Sequence, residues 1–226
     1  MILDDKRIRI IVGHYGSGKT EFSVNYAVKL ANEGRKVALV DLDVVNPYFR
    51  SREKADELSK MGIKVIGSSQ STGIALDVPA IAADVYTPLQ DESYDLVIDV
   101  GGDPAGARTL GRYYQYFVDG KYDMFFVLNA NRPETQTVDK SIEYLRKIED
   151  MARAKVTGLI NTTHMLKSTT VEDILKGQQL AEKLSEKTGI PIRYIVALEN
   201  IASELPSNLK GEVFPIKLYM REDWMV

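Results

Sequence analysis

Short apolar runs alternate along this chain with longer segments whose apolar positions recur three and four residues apart. The runs Arg7–Val12, Lys36–Asp41, Ile63–Ile66, Tyr94–Val100, Met124–Asn129, Lys155–Asn161 and Pro191–Val196 have the length of strands. In their centres, ALV, LVI and FFVL, apolar character is continuous rather than alternating. That pattern suits strands covered on both faces.

Helices are predicted between the strands. Lys19–Glu33 carries Phe22, Tyr26 and Leu30 on one face and ends at Gly34, a suitable cap. Ser51–Met61 ends at Gly62. Asp77–Leu89 holds Pro79 in its first turn, where proline is tolerated. Ala105–Val118, Thr135–Ala152 and Thr170–Thr188 complete the set. Strands separated by helices imply parallel crossovers, and so an α/β fold: a three-layer α/β/α sandwich with a mostly parallel sheet. No repeat or interdomain linker interrupts the alternation, and Gly67–Gly73 reads as a surface loop. A single domain over residues 1–226 is the expectation.

The first strand and first helix are joined by Gly13-His14-Tyr15-Gly16-Ser17-Gly18-Lys19-Thr20, which matches G-x-x-x-x-G-K-[ST] in its strand–loop–helix setting. The motif makes this a P-loop nucleotide hydrolase fold. Its glycines let backbone N–H groups turn toward phosphate oxygens, aided by the positive end of the helix. The Lys19 ammonium reaches the β- and γ-phosphates, and the Thr20 hydroxyl ligates Mg²⁺. Gly13, Gly16, Ser17, Gly18, Lys19, Thr20 and the adjoining Glu21 are the candidate nucleotide-binding residues.

A Mg²⁺–phosphate site also needs carboxylates, at the strand ends where ligands collect in open α/β sheets. VALVDLD places Asp41 at one strand end and Asp43 just beyond it. LVIDVGG places Asp99 at another, and its D-x-x-G spacing to Gly102 suits a loop that approaches a γ-phosphate and moves when it leaves. These aspartates either serve the metal and the attacking nucleophile or cap the segments that follow. His14 is a phosphate donor, a proton carrier or an exposed loop histidine. Asn46–Arg52 puts Arg50 and Arg52 beside two aromatics after Asp43, as an anion site or a solvated helix start.

Composition narrows the class. The chain has 44% hydrophobic and 27% charged residues and a formal charge of −3, which gives no general reason to expect a nucleic-acid partner. It has no cysteine, which excludes disulfides, thiolate metal sites and a cysteine nucleophile. No apolar run approaches the ~20 residues of a membrane span, and the charged Met1–Arg9 is unlike a signal peptide. A cytoplasmic location is expected. Leu218, Tyr219, Met220, Trp224 and Met225 make an apolar tail without the basic face that anionic lipid requires, so it is expected to pack on the domain.

From Arg7 to about Pro215 the chain resembles the MinD/ParA-type ATPases of the SIMIBI class of P-loop proteins. Relatives in that class include CooC, Mrp, the nitrogenase iron protein, and the dethiobiotin and cobyrinate (CobQ/CobB) synthetases. IIVGHYGSGKTEFSVNYAVKLANEGRKVALVDLD is similar to the family's opening strand, phosphate loop, helix and second strand. VIDVGGDPAG resembles its second switch, VLNANRPETQTVDKSIEYL its Asn-Pro strand and helix, and GLINTTH its base-contacting asparagine segment. PIRYIVALENIASELPSNLKGEVFPI is similar to its last strand and C-terminal loop. The resemblance implies that Lys19 and Thr20 hold phosphate and magnesium. It further implies that Asp43 orients the attacking water, that Asp41 and Asp99 hold Mg²⁺ mostly through water, and that Asn161 contacts the base, although a turn-capping role for Asn161 stays open. It also implies that the strand ending at Asp99 lies beside the one ending at Val12, with the Asp41 strand on its far side.

The chain departs from the family where a signature lysine and two glycines are replaced by His14, Tyr15 and Gly16. The missing lysine is the one that crosses a nucleotide-sandwich dimer, so the departure argues against that dimer. The function expected is a slow ATPase coupling nucleotide state to a protein partner. The alternatives are a synthetase or kinase with a small-molecule acceptor, and a nucleotide-sensing module. ATP is expected ahead of GTP, because Asn161-Thr162-Thr163-His164 lacks the aspartate of a guanine-reading N/T-K-x-D signature.

Overall fold

The computed structural model describes residues 2–43, 54–67 and 78–220. Among these, eight strands form one sheet: β1 (Ile8–Gly13), β2 (Lys36–Asp41), β3 (Ile63–Ile66), β4 (Tyr94–Asp99), β5 (Tyr122–Leu128), β6 (Gly158–Asn161), β7 (Ile192–Leu198) and β8 (Glu212–Ile216). Their order is β3-β2-β4-β1-β5-β6-β7-β8, and every neighbouring pair is parallel. β4 therefore lies between β1 and β2, the arrangement that the resemblance implies.

Helices α1 (Lys19–Asn32), α2 (Ala55–Lys60), α3 (Val78–Gln90), α4 (Pro104–Ala107), α5 (Val138–Ala152), α6 (Val171–Thr188) and α7 (Glu199–Ala202) connect the strands. Successive strand residues point to opposite faces, and both faces are covered. Ile8, Ile10 and Val12 pack with Val85 and Leu89 of α3, Leu145 and Ile148 of α5, and Leu184 of α6. Ile11, on the other face, packs with Phe22, Tyr26 and Leu30 of α1 and Leu58 of α2. Full burial of each such side chain is worth about 1.5–3 kcal/mol, which is why the strand centres read as unbroken apolar runs.

Three predicted elements differ from those observed. The helix expected over Ala105–Val118 is only the short α4, followed by 3₁₀ turns at Arg108–Arg112 and Tyr114–Tyr116. Gly106 and Gly111 weaken helix there, and the Asp103 carboxylate takes the Gly106 N–H at 2.5 Å. The strand expected from Lys155 starts at Gly158. Ahead of it the Lys155 N–H donates to the Tyr122 hydroxyl (2.7 Å) and the Val156 N–H to Glu149 (3.0 Å), so these groups are lost to the ladder. β8 was not anticipated as a strand: it contains Pro215, which is tolerated at a sheet edge.

Polar side chains tie together the amino-terminal ends of the strands. Arg9, 2% exposed, pairs through Nη1 with Asp95 of β4, also 2% exposed, and its Nε donates to the Tyr26 hydroxyl at 3.1 Å. Asp5 accepts from the hydroxyls of Tyr26 and Tyr194 and from Arg193. Burial pushes both phenols up, so both stay protonated and donate. Asp95→Ala would leave the Arg9 guanidinium buried without its carboxylate. We expect a loss of about 3–5 kcal/mol in urea denaturation. A loss below about 1 kcal/mol, the scale of an exposed pair, would show that this ion pair does not secure the strand ends.

Candidate functional site

The turn from β1 into α1 is built for close approach. Gly16 and Gly18 have φ of +70° and +93°, a region that side chains with a Cβ rarely adopt. α1 begins without a side-chain cap, which leaves its first N–H groups directed into the turn. Ser17 Oγ is buried and has no hydrogen-bond partner among the described residues. An uncapped helix start and an orphaned hydroxyl in one loop are the features of an anion cradle.

Neighbouring strand ends brace this loop. The Thr162 hydroxyl, beyond β6, donates to Ser17 O. Arg132 Nε, beyond β5, donates to Gly16 O at 3.0 Å. Beyond β4, Gly102 O accepts from the Tyr15 N–H (3.0 Å) and from the Tyr144 hydroxyl of α5 (2.7 Å).

The charged residues gather at the carboxyl ends of β1, β2 and β4. Lys19 is 6% exposed, and its Nζ donates to His14 O at 3.0 Å. Burial pushes its pKa down, while Asp99, Asp43 and Asp103 pull it back up. Asp41 and Asp99 are register partners on adjacent strands. Asp99 accepts from Ser23 Oγ (3.3 Å) and from the Thr20 hydroxyl. Its carboxyl is pushed up to about 7, first by burial and then by Asp41 and, more weakly, Asp43, against the opposing pull of Lys19 and Thr20. Asp41 Oδ1 accepts from the Asp43 N–H at 2.9 Å, which turns the chain so that Asp43 lines the cleft. Among the described residues, no three His, Asp or Glu side chains stand in metal-ligating geometry.

A cleft of about 180 Å³ opens from the phosphate loop. Gly16, Lys19, Thr20, Asp43 and Arg132 line its polar end, and Leu166, Ile174, Val196, Ile216 and Met220 its apolar end. The segment after β8 closes the apolar end and is held by α1. Asn25 exchanges two hydrogen bonds with the Lys217 backbone, at 2.8 and 2.9 Å. Glu21 accepts from the Tyr219 N–H at 2.5 Å and the Met220 N–H at 3.2 Å.

The structure thus brings together Gly13, Gly16, Ser17, Gly18, Lys19, Thr20, Asp41, Asp43 and Asp99. Glu21 lines the cleft with its carboxylate on the C-terminal segment. Asn161 is fully buried; its amide donates to Ile174 O (2.9 Å) and accepts from the Thr163 N–H (3.0 Å), a turn-capping role. His14 does not line the cleft: its ring meets Tyr144 edge-on and stands 3.5 Å from Glu134. Leu218 and Met220 line the cleft, while Trp224 and Met225, like Arg50 and Arg52, lie outside the described residues. Sequence reasoning missed Arg132, Thr162 and His164. The His164 Nδ1 accepts from the Leu166 N–H at 3.3 Å, which puts the ring proton on Nε2, the nitrogen that faces Gly18. Their one signal is position: each follows a strand end by a few residues.

A parallel sheet carrying a phosphate loop at the end of β1, with acids at the ends of β2 and β4, defines a P-loop nucleotide-binding protein. The model of the CobQ/CobB/MinD/ParA nucleotide binding domain matches residues 9–198, and the chain belongs to that family. No curated protein matches it significantly in sequence. Similar solved structures include FtsY from Mycoplasma mycoides, with TM-score 0.58 and 19% identity over 84% of this chain and 60% of that one. The cell division protein FtsY from Thermotoga maritima gives TM-score 0.55 and 21% identity over 82% and 60%. At these identities the likeness concerns the fold, and the chain spans about 60% of the length of these proteins. Among the described residues, no helix is long and apolar enough to cross a membrane.

The Asp99 carboxyl gives a pH signature. Its pKa rises from an ordinary 3.8 to about 7 on folding, so between those values the folded protein keeps a proton that the unfolded chain releases. Stability from this group therefore falls as pH rises through the window. Asp99→Asn fixes the neutral form. Its urea midpoint should match wild type below about pH 4, exceed it increasingly up to about pH 7, and hold a level difference above that. A constant difference across that range would show that Asp99 titrates normally.

Proposed function

We propose that this protein is a Mg²⁺-dependent ATPase of low intrinsic turnover whose nucleotide state is read by a partner protein. The observation that carries the reading is the buried Lys19, set between an anion cradle and three aspartates at the polar end of a cleft whose other end is apolar. Backbone N–H groups from Tyr15 to Thr20 would hold the phosphates, with Lys19 on the β- and γ-phosphates. The Thr20 hydroxyl, already bonded to Asp99, fits Mg²⁺, and Asp41 and Asp99 would hold its water shell; the ion would neutralise phosphate charge. Asp43, lining the cleft, would orient the attacking water.

The choice of base rests on the cleft. Its apolar end suits a purine ring, and the carboxylate nearest that end, Glu21, already accepts two backbone N–H groups. A guanine would find its N1 and N2 donors poorly matched there, at a cost of several-fold or more in affinity. An FtsY from Elizabethkingia anophelis is in complex with GDP, but at 18% identity it speaks for the fold and not for the base.

Coupling to a partner follows from Gly102. A γ-phosphate drawing on the Tyr15 N–H competes with the Tyr15–Gly102 bond, so occupancy would shift the loop after β4. The Tyr15 side chain, 52% exposed at the loop, obstructs the face-to-face approach that a nucleotide-sandwich dimer needs.

Three measurements test the proposal. In competition titrations with Mg²⁺, ATP should bind more tightly than GTP; a preference for GTP would overturn the base assignment. Lys19→Ala should weaken ATP binding by at least ~2–3 kcal/mol in calorimetry, because it removes a charge-assisted phosphate contact. Unchanged affinity would refute the site itself. Phosphate release that requires an added acid or alcohol would replace the ATPase by a synthetase or kinase.

A further inference from the structure

Arg132 has no part in the mechanism above, yet it stands against the wall of the phosphate loop. Its backbone is fixed by the turn that leaves β5. The Arg132 N–H donates to Asn129 O (3.1 Å), and the Arg132 carbonyl accepts from the Thr135 N–H (3.0 Å). The Thr135 hydroxyl closes the same turn on Asn129 O (2.8 Å), and Asn129 and Thr135 are both fully buried. An arginine on so constrained a turn is placed, not free to wander.

The side chain is placed as well. Nε donates to Gly16 O at 3.0 Å, and the guanidinium lies so close over Gly16 that a Cβ there would stand 2.9 Å from Cζ and Nη2. This one bond uses Nε and leaves both terminal amino groups. Among the described residues, no carboxylate forms an ion pair with them and no hydrogen bond engages them. Among the described residues, Lys19 and Arg132 are the lysine and arginine side chains that line the cleft, and Lys19 is committed to the loop and its acids. His14, which the resemblance sets at the position of the signature lysine, lies against Tyr144 and Glu134.

We propose that Arg132 is a catalytic cation supplied in cis for phosphoryl transfer, an inference that rests on the ATPase reading above. In hydrolysis a water oxygen bonds to the γ-phosphorus and the bond from that phosphorus to the β–γ bridging oxygen breaks. The electron pair of the broken bond stays on the ADP oxygen, and the water's protons pass to the released phosphate and to solvent. Negative charge grows on the bridging and γ-oxygens, which the backbone around Gly16 cradles. The terminal amino groups of Arg132, anchored through Nε to that same backbone, donate to those oxygens. The guanidinium stays charged throughout. The structure thus replaces a lysine delivered across a dimer by an arginine delivered from the neighbouring strand.

The test compares wild type, Arg132→Ala and Arg132→Lys. Single-turnover phosphate release from Mg-ATP is measured together with equilibrium affinity for ATP and for ADP with aluminium fluoride. Arg132→Ala should slow release by about 10³-fold, the lower end of what such an arginine contributes. It should leave ATP affinity within about threefold and abolish the tight ADP–aluminium fluoride complex. Arg132→Lys should recover only part of the rate, since it restores charge without the fork. Release within about threefold of wild type in Arg132→Ala would overturn the assignment, as would an affinity loss that accounts for the whole rate loss. Absence of release in the wild type would overturn the ATPase reading and this inference together, whereas a wild type that turns over beside an unaffected Arg132→Ala removes Arg132 alone.

Discussion

A buried ammonium is the constraint around which the carboxyl edge of the sheet is arranged. Water would solvate Lys19 Nζ far better than the protein interior does, and burial pulls its pKa down. Asp99, Asp43 and Asp103 pull it back up. These acids in turn cannot crowd together at no cost: Asp99, beside Asp41 in register, is itself driven toward its neutral form. The region is thus a set of charges that only partly satisfy one another. Polyphosphate with a divalent cation would supply both missing signs, and such an arrangement suits a ligand site better than a stabilised core.

How much of this was legible in the sequence follows from how local each feature is. The phosphate loop, Asp41, Asp43 and Asp99 could be read because one strand and the turn after it carry each of them. The placement of β4 between β1 and β2 came from the resemblance, which said nothing of the other five strands. Arg132, Thr162 and His164 could not be read. They reach Gly16, Ser17 and Gly18 only because β5 and β6 extend the sheet beyond β1, and beyond their place just after a strand end no residue pattern picks them out from their neighbours. At Asn161 the sequence left base contact and capping open, and the side chain is engaged by the Thr163 N–H in its own turn and by Ile174 O of α6. β8 was obscured by Pro215, which weakens the strand signal without disturbing a pairing made from one side only.

The two edges of the sheet use charge in opposite ways. At the amino-terminal edge, Arg9, Asp95, Asp5 and the two phenols are mutually hydrogen-bonded, and that closure fixes where β1, β4 and β7 begin. At the carboxyl edge, Ser17 Oγ has no hydrogen-bond partner among the described residues, and Asp99 is raised. Fixing the strand starts is what allows the strand ends to be left unsatisfied, since the loops there inherit their spacing from a frame that does not move.

The attachment of Lys217–Met220 to Asn25 and Glu21 bears on how the protein is made. α1 carries the phosphate cradle at its first turn and, with Glu21 in that turn and Asn25 in the next, the side chains that clasp the last described segment. The phosphate loop is therefore encoded by Gly13 to Thr20, whereas the last part of the apolar wall, Ile216 to Met220, is translated almost two hundred residues later. During synthesis a nascent chain can present the cradle long before it can enclose a base. Nucleotide can then act as a ligand that holds the finished protein closed, but not as a template for its early folding steps.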